Sequence, residues 1–289
     1  MTTYLVGIDG SEHAAAALDW ARAVATDDDA VIALHAWDAP IVTSLEASIS
    51  VDPAEAEAIA ARFVADTVAA LDDPRVEGRT VEGPAGRAIV EVAESLGDDV
   101  TIVVGHGGSG KMSLLLGSTA NHVVHHTRQP VVVVRGETRL PVRRVVVGVD
   151  EPGRGREPDE HSVAALRWAL RLPGVETVEP SHADFVPAVV AGPIVEPGLE
   201  SDEEVAEDDA ELRAAIAAAT DGTGVAPSGA AIVPRIAAGT GAFALIEASR
   251  EADLVVVGTR GRSGFVELLT GSTTLEVLAH AHCPVAVVR

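Results

Sequence analysis

The chain has 289 residues and a formal net charge of −23, with 47% apolar but only 3% aromatic residues. That charge argues against DNA, RNA or anionic lipid as the main partner, and so few aromatics leave no stacking platform for single-stranded nucleic acid. One cysteine, Cys283, excludes an internal disulfide framework. Cys283 lies just before the last strand pattern and is expected to be a small buried side chain. No apolar run reaches the roughly 18 residues of a membrane span. The first residues lack a signal-peptide layout, so the expected location is cytoplasmic.

Thr3 to Ile8 reads as a buried strand ended by Asp9-Gly10, and Ser11 can cap the helix that follows. Ala14, Ala17, Leu18, Ala21 and Val24 share one face of that helix. Ala30 to Trp37 is a second strand, and Pro40 to Asp52 a loop without a period. Pro53 to Leu71 is a long helix whose first-turn proline costs little. Val76 to Val81 is the third strand, and Gly83-Pro-Ala-Gly86 leads into a helix through Leu96. Val100 to Val104 is the fourth strand. After it comes Gly105-His-Gly-Gly-Ser-Gly-Lys-Met-Ser-Leu-Leu-Leu-Gly117-Ser118-Thr119. Ser118 to Thr127 is a helix, and Val131 to Arg135, after Pro130, the fifth strand.

The pattern then repeats. Arg144 to Val149 matches the first strand and Asp150 matches Asp9, but the turn to His161 is longer. Val175 to His182 contains Pro180, which suits an edge or a bulge. Asp184 to Leu199 is expected to cover a crevice. Ser201 to Ala219 is the long helix, with an acidic start that suits its dipole. Ala230 to Ile236 is the third strand, and Gly239-Thr-Gly241 leads into helix Ala242 to Arg250. Leu254 to Val257 precedes the second glycine loop, which runs from Gly258 through Gly261 to Gly271-Ser272-Thr273. Pro284 precedes the last strand. Trp20 and Trp168 occupy matching helix positions and read as core.

The length and the repeat predict two domains, 1–137 and 142–289, joined by Gly136 to Pro141. Alternating strands and helices predict an α/β fold. It consists of two tandem Rossmann-like domains, each an open five-stranded parallel sheet with helices on both faces. Ligands of such sheets bind beyond the carboxyl ends of the strands, where strand order switches. The first and fourth strands are the expected switch pair, so Asp9 and the glycine loop face one crevice.

The loop favours anions. Glycine lets the backbone come close to a ligand, successive N–H groups can form a nest, and a helix N-terminus adds donors. Ser118 and Ser272 stand where an N-cap belongs, free either to cap or to bind a phosphate oxygen. Both loops also read simply as tight strand-to-helix turns. Gly105 to Lys111 fits Gly-x4-Gly-Lys, but Met112 stands where a Mg²⁺-binding hydroxyl belongs and Phe265 replaces the lysine in the second copy. A dinucleotide turn after the first strand and an esterase elbow at Ser109 or Ser263 lack the required spacing. His122 and His126 share a helix face but have no evident third ligand, and histidine suits a helix C-terminus.

On these motifs the chain resembles a tandem universal stress protein of the UspA family. That family's loop is Gly-x2-Gly-x9-Gly-Ser/Thr after the fourth strand. Gly258, Gly261, Gly271 and Ser272 fit it. The first copy has one residue between Gly105 and Gly107, not two, although the nine-residue spacing to Gly117-Ser118 holds. Ile8-Asp9-Gly10-Ser11 is similar to the family's Val-Asp-Gly-Ser.

The resemblance implies ATP, with or without Mg²⁺, in both domains. Adenine and ribose would lie near Asp9, Gly10 and the second strand (Leu34, His35, Ala36). The phosphates would lie on Val104, Gly105, Gly107, Gly117, Ser118 and Thr119. The second-domain equivalents are Asp150, Val257, Gly258, Gly261, Gly271, Ser272 and Thr273. The second domain has Glu151-Pro152 in place of Gly-Ser, whose carboxylate would oppose phosphate, with Arg260 or Arg262 as an offset. The resemblance also implies an intramolecular pseudo-dimer of the domains and a possible homodimer through the fifth strands. With no nucleophile, base or metal constellation beside the loops, the expected role is an ATP-binding stress-response or energy-status regulator. Slow hydrolysis, with Asp9 and Asp150 the first suspects, and a nucleotide-free scaffold stay open as alternatives.

Overall fold

The computed structural model describes residues 1–38, 41–43, 48–50, 52–107, 116–150, 158–184, 202–259 and 271–289. For residues 41–43, 48–50, 184, 202–209 and 211 it describes the backbone alone. The chain divides into two compact units, Met1–Thr138 and Arg139–Arg289.

In the first unit, β1 (Thr3–Gly7), α1 (Glu12–Val24) and β2 (Ala30–Trp37) follow in order. A short antiparallel hairpin, β3 (Ile41–Thr43) and β4 (Ser48–Ser50), occupies part of the segment that reads as a plain loop in the sequence. Then come α2 (Pro53–Leu71), β5 (Val76–Glu82), α3 (Ala85–Leu96), β6 (Val100–Gly105), α4 (Ser118–His126) and β7 (Val131–Val134). The sheet order is β5-β2-β1-β6-β7, and every pairing is parallel. After β1 the chain builds outward to β2 and β5, then returns to pair β6 with β1. That reversal leaves a crevice beyond the carboxyl ends of β1 and β6.

Local chemistry sets the boundaries. Ser11 accepts the Ala14 N–H at 3.2 Å and starts α1. Asp52 does the same for α2, with Pro53 in the first turn. Strands β1, β6 and β7 are buried on both faces, as their Val- and Ile-rich runs require. Leu5, Leu34, Ile89 and Ile102 lie fully buried with Trp20. Each such aliphatic side chain contributes about 1.5–3 kcal/mol. Trp168, the sequence counterpart of Trp20, is only half-buried.

The second unit contains β8 (Arg144–Gly148), α5 (Glu160–Ala169), β9 (Thr177–Asp184), α6 (Asp202–Ala219), β10 (Ala231–Ile232) and β11 (Arg235–Ala238). It closes with α7 (Gly241–Ala248), β12 (Leu254–Gly258), α8 (Ser272–His280) and β13 (Val285–Val288). Its sheet repeats the first: β10 and β11, then β9, β8, β12 and β13, all parallel. Cys283 is buried, as expected.

Two sequence expectations are corrected here. The strand predicted over Ala230 to Ile236 is two short strands broken at Val233-Pro234, both paired with β9. Pro180, expected at an edge or a bulge, lies inside β9, with Val147 of β8 opposite it. The Val178 carbonyl accepts from Val233, whereas the Ser181 carbonyl accepts from Val149. Residues two apart face the same neighbour, so Pro180 faces the β10–β11 side, at the break. Its missing N–H therefore costs no ladder bond.

Candidate functional site

In the second unit a cavity of about 340 Å³ opens at the switch between β8 and β12. Its wall combines Asp150 after β8, Ser181 and His182 of β9, Val257 and Gly258 of β12, and Gly271, Ser272 and Thr273 at the start of α8. Helices α5 and α7 complete it with Ser162 and Leu245.

Backbone proximity explains the glycines. A Cβ on Gly258 would come within 3.1–3.2 Å of His161, including its carbonyl, so the first turn of α5 lies directly on the end of β12. The Gly271 N–H donates to the Thr259 carbonyl at 3.1 Å, and Thr274 Oγ1 donates to the Gly258 carbonyl at 2.8 Å. These two bonds tie the start of α8 to the end of β12. The first turn of α8, from Gly271 to Thr274, then lines the cavity with the positive end of the helix dipole. Asp150 is oriented from its backbone, whose N–H donates to Ser162 Oγ at 3.0 Å. Ser162 in turn donates its own N–H to the Asp159 cap at 2.8 Å. On the far side, His182 Nδ1 lies 3.1 Å from the Val149 carbonyl.

The first unit carries the same parts. A Cβ on Gly105 would fall 2.6 Å from both the carbonyl carbon and oxygen of His13, in the first turn of α1. The Gly117 N–H donates to the His106 carbonyl at 2.8 Å. Gly107 takes φ +68°, and a Cβ there would meet Gly117 Cα at 3.1 Å, so the loop's two ends touch through glycine. Asp9 is exposed, and its Oδ1 accepts the Ser11 N–H at 2.9 Å. His35 Nδ1 lies 2.9 Å from the Ile8 carbonyl. The His35 ring stands edge-on to Phe63 of α2, with centroids 4.7 Å apart. Gly10, at φ +81°, leaves room for Phe63, whose ring carbon would lie 3.4 Å from a Cβ there.

Between Gly105 and Gly117, His106 is 4% exposed. Its Nδ1 bonds the Gly107 carbonyl at 2.9 Å, and its Nε2 is enclosed with no partner among the described residues. Burial, then the Arg135 charge, holds this imidazole below its ordinary 6.5. Thr259 occupies the equivalent place in the second unit.

The two units thus gather most residues singled out from the sequence. Asp150, Val257, Gly258, Gly271, Ser272 and Thr273 line one cavity, whereas Gly261 lies outside the described residues, as do Lys111, Glu151, Arg260 and Arg262. The segment expected to cover the crevice, residues 185–199, also lies outside them. One assignment is corrected: the N-caps are Gly117 and Gly271, not Ser118 and Ser272. The serines are the first helical residues, exposed and not used in capping. The one-residue deficit of the first loop also falls after His106, because Gly105-His106 and Gly258-Thr259 make matching backbone bonds. Sequence reasoning missed His182, Ser162, Ser181 and Phe63. The repeated His-Ala pair, His35-Ala36 and His182-Ala183, was the available signal for His182. Phe63 and Ser162 are brought in from helices by tertiary packing and had none.

His122 and His126 stack with centroids 4.0 Å apart, and His126 Nδ1 bonds the His122 carbonyl. Among the described residues no group of three or more His, Cys, Asp or Glu side chains could hold a metal ion. No helix among them is long and apolar enough to cross a membrane.

The sequence model described as the Universal stress protein family matches residues 1–135 and again 141–289. A universal stress protein of Mycolicibacterium smegmatis is 30% identical over 302 residues, covering 99% of this chain and 96% of that protein. One from Mycobacterium tuberculosis is 28% identical over 300 residues, covering 99% of this chain and 95% of its own length. A solved universal stress protein of Archaeoglobus fulgidus shares the fold at 20% identity. Its TM-score is 0.62, over 99% of this chain and 96% of that one.

Proposed function

Because the chain belongs to the universal stress protein family, we propose that its two domains, residues 1–137 and 142–289, each bind ATP. The protein then acts as a nucleotide-responsive regulator, not a turnover enzyme. The observation that carries this reading is the second-unit cavity, where glycine-bounded helix start, carboxylate and buried histidine follow one another along the sheet edge. They follow the order of phosphate, ribose and base. Gly258 and Gly271 line that cavity together with the α8 N-terminus, whose backbone N–H groups would cradle the phosphates. The exposed hydroxyls of Ser272 and Ser118 add donors to it. Asp150 and Asp9 accept from ribose hydroxyls. Binding to the folded state alone stabilises the protein by mass action, about 2.7 kcal/mol when ligand reaches a hundred times its Kd. Folded-state population and surface then follow nucleotide supply.

The test is direct. The purified chain, prepared without added nucleotide, is denatured and the released small molecules are identified and counted. ATP near two per chain is expected. No release, with no thermal shift on adding ATP, would reject nucleotide binding. Multiple turnovers to ADP would reject the regulator in favour of a hydrolase.

A further inference from the structure

We propose that His182, and His35 in the first unit, select the nucleobase. Each presents a fixed hydrogen-bond acceptor that favours adenine's exocyclic amine over a carbonyl at the same place. The proposal rests on the nucleotide-binding reading above.

A carbonyl oxygen cannot donate, so the 3.1 Å contact from His182 Nδ1 to the Val149 carbonyl puts the imidazole proton on Nδ1. In the neutral ring, Nε2 is then an acceptor only. His182 is 8% exposed and lines the cavity. Its Nε2 has no hydrogen-bond partner among the described residues. Turning the ring over, to offer a donor instead, would break the bond to Val149.

Position argues for the base end. Glycine, aspartate and histidine come from β12, β8 and β9, three consecutive strands. At about 4.8 Å per strand, the histidine strand lies about 10 Å from the phosphate strand. Other polar groups at that end do not discriminate. The hydroxyls of Ser162 and Ser181 can donate or accept, and Asp150 serves the ribose. The first unit repeats the device with different neighbours. His35 Nδ1 donates to the Ile8 carbonyl at 2.9 Å, and Phe63 braces the ring. An inosine base would set its carbonyl against the Nε2 lone pair and leave both acceptors unpaired.

The experiment is an equilibrium titration of the full chain with ATP, ITP and purine riboside triphosphate, which carries neither amine nor carbonyl. ATP should bind about tenfold or more tighter than ITP, with the purine analogue between them. The double variant His35→Gln, His182→Gln offers both a donor and an acceptor, and should bring the ATP-to-ITP ratio towards one. A purely structural role would weaken both nucleotides together and leave the ratio unchanged. Equal binding of ATP and ITP to the unaltered protein overturns the proposal, as does an unchanged ratio in the variant. If the variant does not fold, protein labelled with ¹⁵N-histidine decides: ATP but not ITP must move two Nε2 resonances. Failure of all three nucleotides to bind overturns the nucleotide reading itself, and this proposal with it.

Discussion

The same substitution made in both copies tests whether the strand ends are packed as described. Gly105→Ala and Gly258→Ala introduce one methyl group at matching positions. In the first unit it would lie 2.6 Å from the His13 carbonyl carbon and oxygen, which are backbone. In the second its nearest neighbours are His161 atoms at 3.1–3.2 Å. Restoring ordinary contact near 3.4 Å requires the start of α1 to move by about 0.8 Å, but the start of α5 by only about 0.3 Å. Backbone tied into a capped helix cannot swing aside as a flexible side chain can. Overpacking of this kind costs about 1–3 kcal/mol, and Gly105→Ala belongs at the upper end. Neither glycine is in the left-handed region, so alanine also restricts the unfolded chain and returns about 0.4–1 kcal/mol. Gly258→Ala should therefore be within about 1 kcal/mol of neutral, and Gly105→Ala about 2 kcal/mol destabilising. Urea denaturation followed by circular dichroism gives the totals, and peptide-resolved hydrogen exchange assigns the loss to a unit. Equal losses, or a larger loss for Gly258→Ala, would refute the packing argument.

Gly117→Val would set side-chain carbon 3.1 Å from both Gly107 Cα and the His106 carbonyl. The first loop could not close on its helix, and nucleotide released per chain should fall from two to one. Asp73 is 7% exposed and receives Arg22 Nε at 3.0 Å and Arg75 at 2.8 and 3.0 Å. These donors, Arg75 foremost, hold its carboxyl far below the usual carboxylate range. Asp73→Asn should cost about 2 kcal/mol in urea denaturation at pH 7. The stability Asp73 supplies above its ordinary 3.8 should disappear as pH falls below that value. His106 titrates in the folded chain below its ordinary 6.5. Its contribution is complete above pH 6.5 and is lost as pH falls through that value towards the folded one, because the unfolded chain then binds more protons. His106→Thr should flatten, though not abolish, the stability loss between pH 7 and 5, since burial also lowers His122.

Strand and helix positions were legible because apolar periodicity, caps and glycines are local signals. The Pro53 start of α2 and the Val131 start of β7 are where the sequence places them. The switch between β1 and β6 was legible too, since right-handed crossovers leave few topologies open. What escaped was set by tertiary partners. The break at Pro234 answers Pro180 in the neighbouring strand, 54 residues away in the chain. Ser118 and Ser272 look like caps by residue type, but glycine precedes each and takes the extended cap conformation itself, at ψ 154° and 155°. That leaves the hydroxyls in the first turn, beside the donors a phosphate would use.

The two loops solve one closure differently, and this bears on how far the copies are interchangeable. In both, the residue after the strand glycine accepts the N–H of the helix-capping glycine, His106 from Gly117 and Thr259 from Gly271. The first loop must then return with one residue fewer. It does so with Gly107 at φ +68° against Gly117, and with the His106 ring bonded to the Gly107 carbonyl. The His106 ring thus braces the turn at Gly107 where the second unit has threonine. The cost is an enclosed Nε2 with no partner among the described residues, which threonine at the second site does not carry. Evicting that imbalance by protonation is opposed by burial and by Arg135, so the first loop is held closed best by a neutral ring. Acid, by charging His106, should therefore weaken the closure of Gly117 on His106 in the first unit.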